Sequence, residues 1–156
     1  MNSVKASETS YKWILETSAM LDAESQFVRD IKGVKGFNWD YVKLPISYKL
    51  DWAICHKDRI QGFAELKIRN CRRNDYPTFM LSMAKYRELL LVNQLFKPTA
   101  LFVRWKDQDC IHKTQDYDHT QYELRMNGRT DRNRNGDIEP CIHIPVNHFS
   151  TIREST

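Results

Sequence analysis

The sequence predicts an α/β protein with a mixed central sheet flanked by helices. Three observations carry that expectation: two long stretches with helical spacing and stop signals, a pair of period-two segments around a polar turn, and a strongly apolar run after the second helix. The chain has 156 residues, enough to bury roughly 70% of the surface its unfolded form exposes. It reads as one domain over 1–156, with a core over about 18–106 and closing strands over about 110–149.

In chain order, "ETSAMLDAESQFVRDIKG" predicts a helix from Ser18 to Lys32, with Thr17 or Ser18 as cap and Gly33 as stop. Its apolar stripe is Met20, Phe27 and Ile31, and Glu24 sits inside that stripe. A carboxylate there requires a partner or a metal, unless its head reaches water from the stripe's edge.

Next, "VKLPISYKLDWAICHKDRIQGFAELKIRN" reads as successive strands. "LDWAICH" and "IQGFAELKIRN" flank Lys57-Asp58-Arg59 as a hairpin. In the second of these strands Ala64, Leu66 and Ile68 form an apolar face, so Glu65 and Lys67 share the other. A three-residue loop sets His56 opposite Ile60, and counting back sets Asp51 opposite Glu65. A change of register by one residue would turn Asp51 to the wrong side.

"PTFMLSMAKYRELLLVNQLF" predicts a helix from Pro77 to Phe96, stopped at Lys97-Pro98. "TALFVRW", 99–105, has the continuous apolarity of a strand inside a sheet. Short strands are expected at "CIHKTQ", "YELRM" and "CIHIPV", with the basic loop "NGRTDRNRNGD" between the last two.

Asp51, Glu65 and Lys67 are thus expected to converge. Two opposed carboxylates are destabilising as mere packing. A divalent cation resolves the conflict, because Mg²⁺ takes a few carboxylates and keeps positions open for water and phosphate oxygens. Phosphodiester hydrolysis uses such parts: an ion that polarises the phosphate and acidifies water, and a cation that positions the nucleophile.

Asp51 followed by Glu65-Leu66-Lys67 resembles the D…(D/E)xK signature of the PD-(D/E)XK nuclease superfamily, whose members share the restriction-endonuclease-like fold. A helix bearing Glu24 precedes the signature. A helix bearing Lys85 follows it, and then comes "ALFVRW". The resemblance covers about residues 18–106, with "IPVNHF" as a closing segment; Leu50 stands where many members have proline.

The resemblance implies a restriction-endonuclease-like architecture and a Mg²⁺- or Mn²⁺-dependent endonuclease acting on nucleic acid, DNA before RNA. It implies that Asp51 and Glu65 ligate the ion with the Leu66 carbonyl. Lys67 would orient the attacking water, Glu24 would hold a metal-bound water or a second ion, and Lys85 would contact the scissile phosphate. A homodimer is a further expectation, since so small a domain needs a partner to span a duplex.

A net charge of +4 is compatible with such a substrate without requiring it. Arg69, Arg72 and Arg73 follow the motif directly and Arg87 lies on the next helix, where they could neutralise phosphates. Tyr76 and Tyr86 could stack on unpaired bases, although packing explains them more simply. No apolar run reaches membrane-spanning length, and "MNSVKASETSYKW" lacks a signal-peptide core, so a cytoplasmic (intracellular) protein is expected.

Two rival motifs point elsewhere. "CIH" occurs at 110–112 and 141–143, and neighbouring strands carrying both would offer a Cys2His2 zinc site. "DRNRNGDIE", 131–139, fits the first positions of a calcium loop, but position twelve is Ile142 and Pro140 opposes an exiting helix, which favours a turn. The alternatives to a nuclease are therefore a nucleic-acid-binding protein on the same fold and a calcium- or zinc-stabilised binding module.

Overall fold

The computed structural model describes residues 17–128 and 138–155, beginning at the predicted cap. Thr17 Oγ1 accepts the Met20 amide at 3.2 Å, and α1 (Ser18–Lys32) ends at Gly33. Only Phe27 and Ile31 of its stripe are buried; Met20 is exposed. There follow β1 (Asp40–Lys43), β2 (Trp52–His56), β3 (Arg59–Ile68), β4 (Thr78–Ser82), α2 (Met83–Leu95), β5 (Thr99–Arg104), β6 (Gln108–Lys113), β7 (Glu123–Gly128), β8 (Ile138–Pro145) and β9 (Ser150–Glu154).

Six strands form one sheet in the order β1-β2-β3-β5-β6-β9, and three form a second in the order β4-β8-β7. Only the β3–β5 pair is parallel, so the sheet is mixed, as expected. One face of it packs Trp52, Ala64, Leu66, Ala100 and Phe102 under Phe27 and Ile31 of α1. On the opposite face Leu101 and Val103 join Tyr86 and Leu89 of α2 and Ile142 and Ile144 of β8. Arg104 ties α1 to the sheet, with Nη2 2.7 Å from Asp30 and Nε 2.7 Å from the buried Asp109.

The single helix expected over Pro77–Phe96 is corrected to a strand followed by a helix. Phe79 and Leu81 are buried while Met80 between them is exposed, which is period two. Phe79 pairs with Ile144 and Leu81 with Ile142, so a partner strand distant in sequence overrides local helical spacing. A further strand beyond the expected closing segment, β9, forms the sheet edge beside β6.

The hairpin loop is also shorter than expected. Lys57 and Asp58 alone make the turn, at φ 48° and 61°, and His56 pairs with Arg59. A bulge between Ile54 and Cys55 then takes up one extra residue of β3, so that Trp52 pairs with Ala64. The two differences cancel. The pairing runs as far as Trp52 with Ala64, and just before it the Asp51 amide bonds to the Ala64 carbonyl, which brings Asp51 beside the strand that carries Glu65.

The zinc reading is corrected outright. Cys110 and His112 lie on β6 of the large sheet, whereas Cys141 and His143 lie on β8 of the small one. The His112 ring is engaged by Tyr86 Oη at 3.1 Å and the His148 carbonyl at 3.0 Å, and His143 by Thr78 and Asn127. The calcium-loop reading falls mostly on residues outside those described, as do the basic loop's Arg129, Arg132 and Arg134, expected as an alternative contact to a nucleic-acid backbone; Pro140 and Ile142 continue β8.

Candidate active site

Asp51 stands one residue before β2, where backbone bonds fix it on both sides. Its amide donates to the Ala64 carbonyl at 3.1 Å, and its carbonyl accepts the Leu44 amide at 2.8 Å. Its carboxylate crosses to the next strand, where Oδ2 accepts the Leu66 amide at 2.9 Å. The acid is thereby held against the middle of the Glu65-Leu66-Lys67 triplet.

Glu65 points to the α2 side of the sheet, because Ala64 and Leu66 occupy the α1 side. Its side chain is 1% exposed and lies between two ammonium groups, with Lys67 Nζ 2.7 Å from Oε1 and Lys85 Nζ 3.2 Å from Oε2. Lys67 approaches Oε1 off the direction a hydrogen bond needs, so that oxygen is ion-paired yet lacks a directed donor. Lys85 also donates to the Lys49 carbonyl, which anchors α2 beside the site. Burial pushes the Glu65 carboxyl above its ordinary range; Lys67 and Lys85 oppose that shift and nearby Asp51 adds to it.

Glu24 reaches the same end of the sheet from α1. Lys43 Nζ lies 2.8 Å from Glu24 Oε2 and 3.7 Å from Asp51 Oδ1, so one ammonium bridges the two acids. Lys43 was missed by sequence reasoning. Its strand was expected, but its place beside Asp51 follows from the pairing of Lys43 with Trp52, which no spacing in the sequence announces.

Asp51, Glu65, Lys67, Lys85 and Glu24 are therefore gathered, while the arginines divide. Arg73 spends its guanidinium on Gln108, Thr151 and the carbonyls of Val146 and Phe149. Arg69 lies over the Phe79 ring at 4.5 Å and donates to the Met80 carbonyl. Neither contacts the Glu65 group among the described residues, and both clamp elements together. Arg72 has an exposed side chain. Tyr86 is a core residue, Tyr76 is exposed, and Arg87 lines a largely apolar cavity of about 290 Å³ with Met83 and Leu90.

The donors suit a hard divalent cation. They are oxygens, one of them the incompletely satisfied Oε1 of a buried carboxylate, and the Leu66 carbonyl belongs to the same strand. Among the described residues no three His, Cys, Asp or Glu side chains cluster closely enough to cage an ion. The set is thus an open one, in which Asp51 and Glu65 would hold the ion and leave positions for other oxygens.

No helix among the described residues is long and apolar enough to cross a membrane. No curated protein and no solved structure matches the chain. A family model described as "Phage putative PDDEXK endonuclease" matches residues 10–152, which takes in both helices, every strand except the end of β9, and every gathered site residue, and supports nuclease activity in general. With the acid–acid–lysine set on adjoining strands of a mixed sheet, the chain belongs to that PDDEXK endonuclease family, and so to the PD-(D/E)XK superfamily with its restriction-endonuclease-like fold.

Proposed function

We propose that the protein is a divalent-metal-dependent endonuclease that hydrolyses phosphodiester bonds in nucleic acid, DNA in preference to RNA. The observation that carries this reading is the meeting of Asp51, Glu65 and Lys67 at one end of the β2–β3 pair. Asp51 and Glu65, with the Leu66 carbonyl, would hold Mg²⁺ or Mn²⁺. When bound, such an ion polarises the phosphate and lowers the pKa of its water.

The chain's own groups do the rest. Lys67, 30% exposed, can turn its ammonium from Glu65 towards a water on the open side and steady the charge that develops there. Lys85, 32% exposed on α2, is placed to meet a phosphate oxygen once an ion relieves it of Glu65. Exposed Arg72 would add a phosphate contact sensitive to salt. Cutting both strands of a duplex would call for a second copy of the chain.

The test is incubation of supercoiled plasmid, single-stranded DNA, branched DNA and RNA with the protein in Mg²⁺ or Mn²⁺, beside EDTA and Lys67→Ala controls. Cleavage of DNA that both controls abolish is the expected result. Binding without cleavage of any substrate would replace this reading by a nucleic-acid-binding role on the same fold. Neither binding nor cleavage would overturn both.

A further inference from the structure

Three carboxylates meet three ammonium groups at this site. Glu65 faces Lys67 and Lys85, while Glu24 and Asp51 share Lys43. Among the described residues each of these acids thus has an ammonium group beside it. One divalent ion placed between Asp51 and Glu65 has an unsatisfied oxygen to meet, since Glu65 Oε1 lacks a directed donor. Among the described residues Asp51 Oδ1 has no close hydrogen bond either, Lys43 standing 3.7 Å from it.

A second ion would have to lie between Asp51 and Glu24, where a third acid would help to hold it. That position is the one Lys43 takes. Its ammonium is 2.8 Å from Glu24 Oε2 and 5.5 Å from the centre of the Trp52 ring, whose face also favours a cation. Nor is the lysine loosely placed. Its backbone pairs with Trp52, the residue after Asp51, and the next amide, Leu44, donates to the Asp51 carbonyl. The side chain is three-quarters buried, at 27% exposed, and Glu24 is 12% exposed. The register of β1 thus delivers a tethered cation into the gap between the two acids.

We propose that Lys43 serves as a built-in substitute for a second metal ion, so that this nuclease works as a one-ion enzyme whose α1 carboxylate holds an ammonium group. The inference rests on the proposed metal-dependent reading and assigns Glu24 a different task from ligating an ion or its water. Glu24 is then a positioning residue that holds Lys43 beside Asp51, where its ammonium would neutralise charge without being recruited from solution.

The experiment is Mn²⁺ titration of the purified full-length chain, read by calorimetry and by the fraction of free Mn²⁺ in electron paramagnetic resonance. Wild type is expected to bind one Mn²⁺ per chain. Lys43→Met, which keeps the apolar stem and removes the charge, is expected to bind two, and Glu24→Gln added to it should return the count to one. Glu24→Gln alone should leave one ion bound. Lys43→Gln serves in place of Lys43→Met if the latter does not fold. Two ions on wild type, one ion on both Lys43 variants, or loss of the ion in Glu24→Gln would each overturn the inference and leave the nuclease reading standing. No Mn²⁺ bound by wild type would instead sink the metal-dependent reading on which it rests.

Discussion

Lys85 of α2 and Glu65 of β3 meet at 3.2 Å across the join between helix and sheet. Glu65 is fully buried and Lys85 is only partly so, which makes the pair asymmetric: the acid is committed to the site and the base can leave it. Lys67, on the other oxygen, has the same freedom. A buried acid between two partly exposed ammonium groups is well prepared for an ion, because desolvation raises the cost of its charge and a divalent cation repays that cost.

Stability without metal should therefore fall as pH rises through the Glu65 titration. The folded pKa lies above the ordinary value of 4.5, so the folded state binds more protons than the unfolded one between the two values. The contribution is fully present below the unfolded pKa and lost as pH climbs through the folded pKa. In EDTA, the melting temperature of Glu65→Gln minus that of wild type should grow from acid pH upwards and then level off. A difference that shrinks with pH would show that the two lysines, not burial, govern this carboxyl. Added Mn²⁺ should raise the melting temperature of wild type and leave Glu65→Gln nearly unmoved.

Lys67→Ala should cut DNA cleavage by about 10²–10³-fold, the usual effect of removing one group that stabilises developing charge. The change should hardly alter folding, since Lys67 is a third exposed and Lys85 still faces Glu65. Circular dichroism and DNA affinity measured in Ca²⁺ would separate the two effects. An equal loss of affinity and rate would show that Lys67 binds substrate uniformly and does not favour the transition state.

What the sequence made legible follows from how local each signal is. Thr17, Gly33 and the Phe27/Ile31 spacing define α1 within one segment, and the Glu65/Lys67 alternation defines a face of β3 within another. Lys43 could not be found that way, because its role depends on β1 lying beside β2 in one register. Arg69 and Arg73 look like a phosphate patch in the sequence, yet their donors go to Met80, Val146 and Phe149, residues near in space and distant in the chain. The strand inside the expected second helix escaped for the same reason: β8, its partner, lies some sixty residues on. Even the arrival of Trp52 opposite Ala64, which brings Asp51 to the strand of Glu65, came by compensation, a two-residue turn offset by a bulge.

That turn carries its own test. Lys57 and Asp58 both adopt left-handed backbone angles, φ 48° and 61°, which side chains with a Cβ resist. Two-residue hairpin turns of this kind favour Asn followed by Gly. The double substitution Lys57→Asn with Asp58→Gly should stabilise the fold by about 1 kcal/mol. Chemical denaturation would read the gain as a higher midpoint at unchanged slope. Since the loop length is kept, cleavage should not change; a slower enzyme would mean that the turn residues themselves touch substrate.

Gly62 provides the complementary test, because it sits where the bulge restores register and lies close to Pro98, before β5. A Cβ at this position would lie 2.8 Å from the Pro98 carbonyl oxygen, and that carbonyl already accepts the Phe63 amide at 3.0 Å. Neither atom can move aside without breaking the start of the parallel pairing of Phe63 with Thr99. Gly62→Ala should cost about 1–3 kcal/mol, as overpacking against backbone does. It should also slow cleavage beyond what lost stability explains, since a shift of β3 moves Glu65 and Lys67 relative to Asp51. Measuring rate well below the melting temperature, where nearly all of the variant is folded, isolates that second effect. Full activity there would show that the β3 register survives the crowding and that Gly62 matters for stability alone.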